Sequence, residues 1–196
     1  MRARRNQSTS ARRLVATCAV VAIAVATLAF TAVAAGAADS ALAHLKVTAD
    51  NVTIKQKGKS SFVPAKNGMA LNQGDTIKTD ATGLAEIDYT DGSLTRLDHN
   101  TVYKLTVLTN DKGGRQTQGT LTIGETWNRA AKVSETGSFE VKAGGTTAAV
   151  EGTAFVAKCV PQDGGDQQVS CTFTAVVDNI HVDSDAWDVA SVSDAQ

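Results

Sequence analysis

The sequence predicts an all-β fold: one domain of short strands, built as a twisted β-solenoid-like stack or a sandwich, and preceded by an N-terminal transmembrane or signal helix. Three observations point there. Turn-forming glycines, aspartates and asparagines recur at intervals of roughly 8 to 12 residues, the spacing of short strands. Between them apolar and polar residues alternate, which buries one face of a strand and wets the other. Helical periodicity is scarce: the one modest candidate, residues 125–133, is enclosed by Gly124 and Gly137 and reads better as strand and loop.

The chain opens with a segment that is not part of this fold. Arg2, Arg4, Arg5, Arg12 and Arg13 precede an uncharged run of 25 residues, Leu14 to Ala38, rich in Ala and Val. That length crosses a bilayer as a helix. The basic flank, residues 1–13, keeps its own end in the cytoplasm and sends everything after Asp39 outside. A cleavable secretory signal is the alternative, because Ala35-Gly36-Ala37 and Ala41-Leu42-Ala43 both fit the small-residue cleavage pattern. The first reading gives a single-pass membrane protein anchored through residues 14–38, and the second a secreted one. Arg12-Arg13 reads as plain basic flank, and Cys18 as a membrane-buried cysteine.

Export changes the charge. The whole chain carries 19 Lys+Arg against 20 Asp+Glu, and the five arginines precede every acid, so the exported part holds 14 against 20, a net of −6. Such a balance repels polyanions, and no lysine or arginine cluster with interleaved aromatics is evident in the sequence, so no nucleic-acid partner is expected.

Residues 44–182 read as the β domain and 183–196 as an acidic tail. In order, the alternation places Val52 and Ile54 inward; then Ala85, Ile87 and Tyr89 against Leu84 and Glu86; then Tyr103, Leu105 and Val107 against Lys104 and Thr106; then Phe139, Val141 and Ala143. Turns are expected at Lys57-Gly58, Asn67-Gly68, Gln73-Gly74-Asp75, Thr82-Gly83, Asp91-Gly92, residues 111–114, Gly119, Gly124, Gly137 and Gly144-Gly145. In Gly74-Asp75 the glycine can take a positive φ, and the aspartate can accept backbone hydrogens two residues on, fixing the corner before Ile77 enters the core. Asp91-Gly92 is the strongest short hairpin signal, with Ser93 on the departing strand. Trp127 either closes an open core edge or presents a carbohydrate-stacking face. Trp187, in the tail, either docks back or belongs to a disordered peptide.

Cys159 and Cys171 flank a Gly- and Asp-rich tip, residues 163–166, so they are expected to face each other across a hairpin as a disulfide in an oxidising compartment. A zinc pair and a reactive redox pair fit less well, the first for want of nearby histidines, the second for want of close spacing. No catalytic residues, metal site or cofactor are expected. His44, His99 and His181 have no ligand spacing, there is no nucleophile elbow, Asp98-His99-Asn100 reads as a solvated turn, and neither acidic loop has regular calcium-ligand spacing.

An ordered series of motifs carries more than any one turn. Gly74-Asp75-x-Ile77-x-Thr79, Gly83-x-Ala85-x-Ile87, Asp91-Gly92-Ser93-x-x-Arg96-Leu97, Asn100-Thr101, Leu121-x-x-Gly124, Phe139-x-Val141 and Gly152-Thr153-x-Phe155 together resemble the FecR domain family over about residues 45–182. The resemblance implies an extracytoplasmic all-β domain associated with sensing and signal transfer at the bacterial cell envelope. Founding members of that family carry a cytoplasmic sigma-binding segment; the 13 residues before Leu14 are too few to fold one, so that activity is not expected. Glu151 replaces the family's usual basic residue, and Ala143-Gly144-Gly145 its usual proline. The expected function is a non-enzymatic binding or sensing module whose partner is an envelope protein or small ligand, engaged by strand edges or the loop around Asp163. The alternative is a structural scaffold of the envelope with no signalling state.

Overall fold

The computed structural model describes residues 41–112, 114–132, 137–162, 169–177, 181–184 and 192–194. The chain divides into two compact units between Asp39 and Ser40, and all described residues belong to the second. The 14–38 segment, the 163–166 tip and Trp187 lie outside the described residues. Among the described residues no helix is long and apolar enough to cross a membrane.

The described chain is all-β. Its strands are β1 (Ala43–Ala49), β2 (Val52–Lys55), β3 (Val63–Pro64), β4 (Met69–Leu71), β5 (Thr76–Thr79), β6 (Leu84–Tyr89), β7 (Leu94–Leu97) and β8 (Val102–Asp111), followed by β9 (Gly114–Arg129), β10 (Ser138–Ala143), β11 (Thr146–Val150), β12 (Ala154–Pro161), β13 (Val169–Val177), β14 (His181–Ser184) and β15 (Val192–Asp194). They form one curled, mostly antiparallel sheet with two arms that share β9. One arm runs β4-β1-β6-β7-β9-β12-β13-β15, and the other β3-β2-β5-β8-β9-β10-β11-β14. The β9–β10 and β13–β15 pairs are parallel. In both arms the strands before β9 lie to one side of it and those after it to the other.

Gly124 is where β9 passes from one arm to the other. Residues up to Ile123 pair with β8, and residues 126–129 pair with β7. Gly124 has φ +98°, and a Cβ there would sit 2.3 Å from Thr101 Oγ1 and 2.5 Å from Thr101 Cα. Only glycine lets the two segments approach so closely. Thr101 stitches the corner: its hydroxyl accepts from Glu125 N–H (3.0 Å) and donates to Glu125 C=O (3.2 Å), while its own N–H donates to Thr79 Oγ1 (2.9 Å).

Both arms contribute inward faces to one core. Leu45, Ile87, Leu97, Phe155 and Phe173 come from the first, and Ile54, Ile77, Tyr103, Leu105, Leu121, Phe139 and Val141 from the second, all essentially inaccessible to solvent. The Tyr89 and Phe139 rings meet edge to face, 5.7 Å between centroids, and join the arms.

Two expectations change. Val107 is not inward: the register slips between Leu105 and Val107, which hands the buried position to Leu108. Gly119 and Gly124 are not turns between strands but lie inside the 16-residue β9. Gly119 sits under Tyr103, where a Cβ would fall 1.7 Å from the phenolic oxygen. Beyond β13, β14 and β15 continue the two arms.

Candidate functional site

The Gly74-Asp75 corner builds the most distinctive surface of the molecule. Asp75 is buried, and its carboxylate accepts Lys57 N–H at 2.8 Å and Asn72 N–H at 3.0 Å. The expected bonds two residues downstream are not made, because the turn leaves those donors to strand pairing and presents Asp75 to the chain before it. Gly74, at φ +98°, packs against the Lys57 stem, where a Cβ would lie 2.9 Å from Lys57 Cγ, and donates its N–H to Leu105 C=O at 2.6 Å. The corner therefore clamps the β2–β3 loop, residues 56–62, beside the outer face of β5 and β8.

Between that loop and the sheet lies a groove of about 660 Å³. Lys55, Lys57, Lys59, Lys78 and Lys104 line it with Phe62, and no Asp or Glu does. Lys55 Nζ stands 5.2 Å above the Phe62 ring, a cation–π contact. Among the described residues none of these five lysines makes an ion pair. Strand register places two of them, Lys55 and Lys104, in a longer row: directly opposed residues on the outer face read Lys55, Thr76, Lys104, Thr120, Lys142 and Thr147 across β2, β5, β8, β9, β10 and β11. The sequence shows no basic cluster with interleaved aromatics, and the fold gathers lysines on this face with one aromatic, Phe62, beside them. Lysines up to 87 positions apart in the chain share one face because each holds the outward phase of its strand.

The opposite arm carries a different outer row: Lys46, Glu86, Arg96 and Trp127 are register partners across β1, β6, β7 and β9. Glu86 binds Lys46 Nζ at 3.0 Å and Arg96 Nε at 2.7 Å, and Arg96 lies 5.1 Å over the Trp127 ring. Burial opposes ionisation of Glu86, but the hydrogen bonds from Arg96 and Lys46 outweigh it and hold the carboxyl below its ordinary value. Trp127 closes no core edge. The inward residues beside it are Thr126 and Asn128, and its ring lies under a guanidinium.

The remaining motif residues shape the backbone. Asp91 Oδ1 accepts Ser93 N–H at 2.8 Å, Gly92 has φ +87°, and Ser93 Oγ accepts Ala131 N–H at 2.9 Å. Asp91 also faces Arg115, whose guanidinium bonds Thr90 Oγ1 and Leu42 C=O. At the bend before β12, Gly152 has φ +69°, Thr153 C=O accepts Ala130 N–H, and Phe155 is buried against Phe173. Asp98, His99 and Asn100 form a turn in which Asn100 has φ +54° and His99 N–H binds Asp98 Oδ1. Cys159 and Cys171 are register partners on β12 and β13 and form a disulfide.

The FecR protein family matches residues 75–177, from the buried carboxylate of the corner to the end of β13. The chain belongs to the FecR family. No curated protein and no solved structure matches it. The matched span is narrower than the resemblance read over 45–182: Lys104 and Lys142 of the row and Lys78 of the groove fall inside it, whereas Lys55 and the loop bearing Lys57 and Lys59 fall outside. In this FecR chain the buried motif residues serve the scaffold, and the cationic row occupies the outward positions between them.

Proposed function

We propose that this FecR chain is a non-enzymatic binding and sensing module that works outside the cytoplasm and engages an anionic partner through the lysine groove. The single observation that carries the reading is the convergence of five lysines, with no acid between them, on a chain whose exported part is net acidic. Gathering like charges costs electrostatic energy that a neutralising ligand would relieve, and a positive groove in an acidic surface focuses the field on incoming anions. The disulfide supports an oxidising compartment, and the basic flank and apolar run support delivery there. Family membership supports sensing over a purely structural role.

Amine footprinting in intact cells tests this. A membrane-impermeant acylating reagent should label the chain from outside. Lys78 and Lys104 should react less in the envelope than in the purified chain, while Lys158 on the other arm reacts equally in both. Absence of external labelling would overturn the location, and equal reactivity of groove and reference lysines would overturn the site.

A further inference from the structure

Resting on the reading above, we infer that the groove takes a linear polymer bearing phosphate at each repeat, laid across the strands along the Lys55-Thr76-Lys104-Thr120-Lys142-Thr147 row. The geometry of the row is the first argument. Neighbouring strands are about 4.8 Å apart, so lysines on every second strand recur about every 10 Å and the row spans about 24 Å. That is a track for an extended chain. A polymer charged at every repeat can satisfy such a track in any register, so no single pocket is required.

The chemistry of the side chains selects phosphate. All the groove cations are lysines, compact point charges with rotatable donors, and no arginine offers the planar fork that pairs with a carboxylate. Between the lysines stand threonine hydroxyls, neutral donors suited to the unesterified phosphate oxygens. The groove offers a single aromatic, Phe62, and its ring is already covered by Lys55, so there is no series of stacking platforms for nucleobases. The shape argues against a bilayer as the occupant: the clamped 56–62 loop makes one wall of the site, so the surface is concave, and a plane of lipid headgroups would meet the loop before the row.

Binding of medium-chain inorganic polyphosphate to the full-length chain tests the inference, with polyglutamate of matched charge, oligo-dT and vesicles of phosphatidylglycerol in phosphatidylcholine as comparators. Polyphosphate should bind most tightly, with affinity falling as salt rises. The triple variant Lys55→Gln, Lys104→Gln, Lys142→Gln should lose about tenfold in affinity and lower the log–log salt slope by about 2. An equal-charge variant, Lys66→Gln, Lys112→Gln, Lys158→Gln, should match the parent. If the triple variant folds poorly, acylation of the parent with and without polyphosphate locates the site instead, and protection confined to the groove and row lysines supports it. Polyglutamate binding as well as polyphosphate, preference for oligo-dT or vesicles, or protection away from the groove and row would each overturn the inference. Loss of phosphate preference with groove lysines still shielded in cells would remove the polymer and leave the broader reading standing.

Discussion

At the residue scale the corner at Gly74-Asp75 and the two tyrosines make the sharpest predictions. Asp75→Asn keeps the shape but turns an amide N–H toward a backbone donor that now has no acceptor, which costs about 1–3 kcal/mol for a buried group. Urea denaturation should show it as a lowered midpoint; an unchanged midpoint would mean that the Lys57 and Asn72 bonds do not hold the corner. The chain has only two tyrosines, and both are buried. Burial pushes Tyr89 up to about 12, with a smaller opposing effect from Thr95, and burial also pushes Tyr103 well up. An unfolded tyrosine ionises near pH 10. The folded state therefore keeps this contribution in full below pH 10 and loses it as pH rises toward 12. Absorbance at 295 nm should stay flat through pH 10 and rise together with loss of the far-ultraviolet strand signal; a phenolate signal near pH 10 in folded protein would contradict the burial. The glycine half of the corner was legible in the sequence, because a Gly-Asp pair before an apolar residue announces a turn. The aspartate's bond to Lys57 was not, since Lys57 lies 18 positions back and local spacing cannot show which backbone a turn will press against.

At the scale of strands, β9 explains most of what the sequence concealed. Gly119 and Gly124 look like turns because glycine is usually turn punctuation, yet here they relieve close approach within one strand. Gly119→Ala should be severely destabilising, about 3 kcal/mol or more, because Tyr103 fills the space and overpacking cannot relax in a core. Loss of cooperative unfolding or of soluble expression would register it. The period-two signal otherwise identified inward residues well, from Val52 to Ala143, and failed at Val107 because a bulge is invisible to alternation. The Lys46-Glu86-Arg96 row belongs to this scale too. Glu86 titrates below its ordinary value of about 4.3, so its contribution is whole above that pH and disappears as pH falls through the lowered value. The partner cations are about 60 % exposed, which limits Glu86→Gln to about 0.5–1 kcal/mol at neutral pH. The variant's thermal midpoint should converge on the parent's in acid, and a constant gap across pH would show that packing, not charge, is lost.

For the molecule as a whole, the disulfide and the cationic face show the two limits of reading a chain. Cys159 and Cys171 could be paired from their flanking strand residues and the tip between them, because a hairpin is a local object. Serine at both positions should cost about 3 kcal/mol through the freed 12-residue separation, and calorimetry under oxidising and reducing conditions should show that difference for the parent alone. The groove could not be read this way: Lys55, Lys57 and Lys59 are close in the chain, but Lys78, Lys104 and Lys142 sit in separate strands, and only knowledge of which strands are neighbours brings them to the same face. The shared strand has a final consequence. Cutting the backbone at Lys112, between β8 and β9, would leave one fragment holding every strand on the near side of both arms and another holding the seam with every strand beyond it. Each piece would display two matching open edges to its counterpart, so the pair is suited to reassembly on mixing, a route to a split reporter whose signal depends on β9 closing both arms at once.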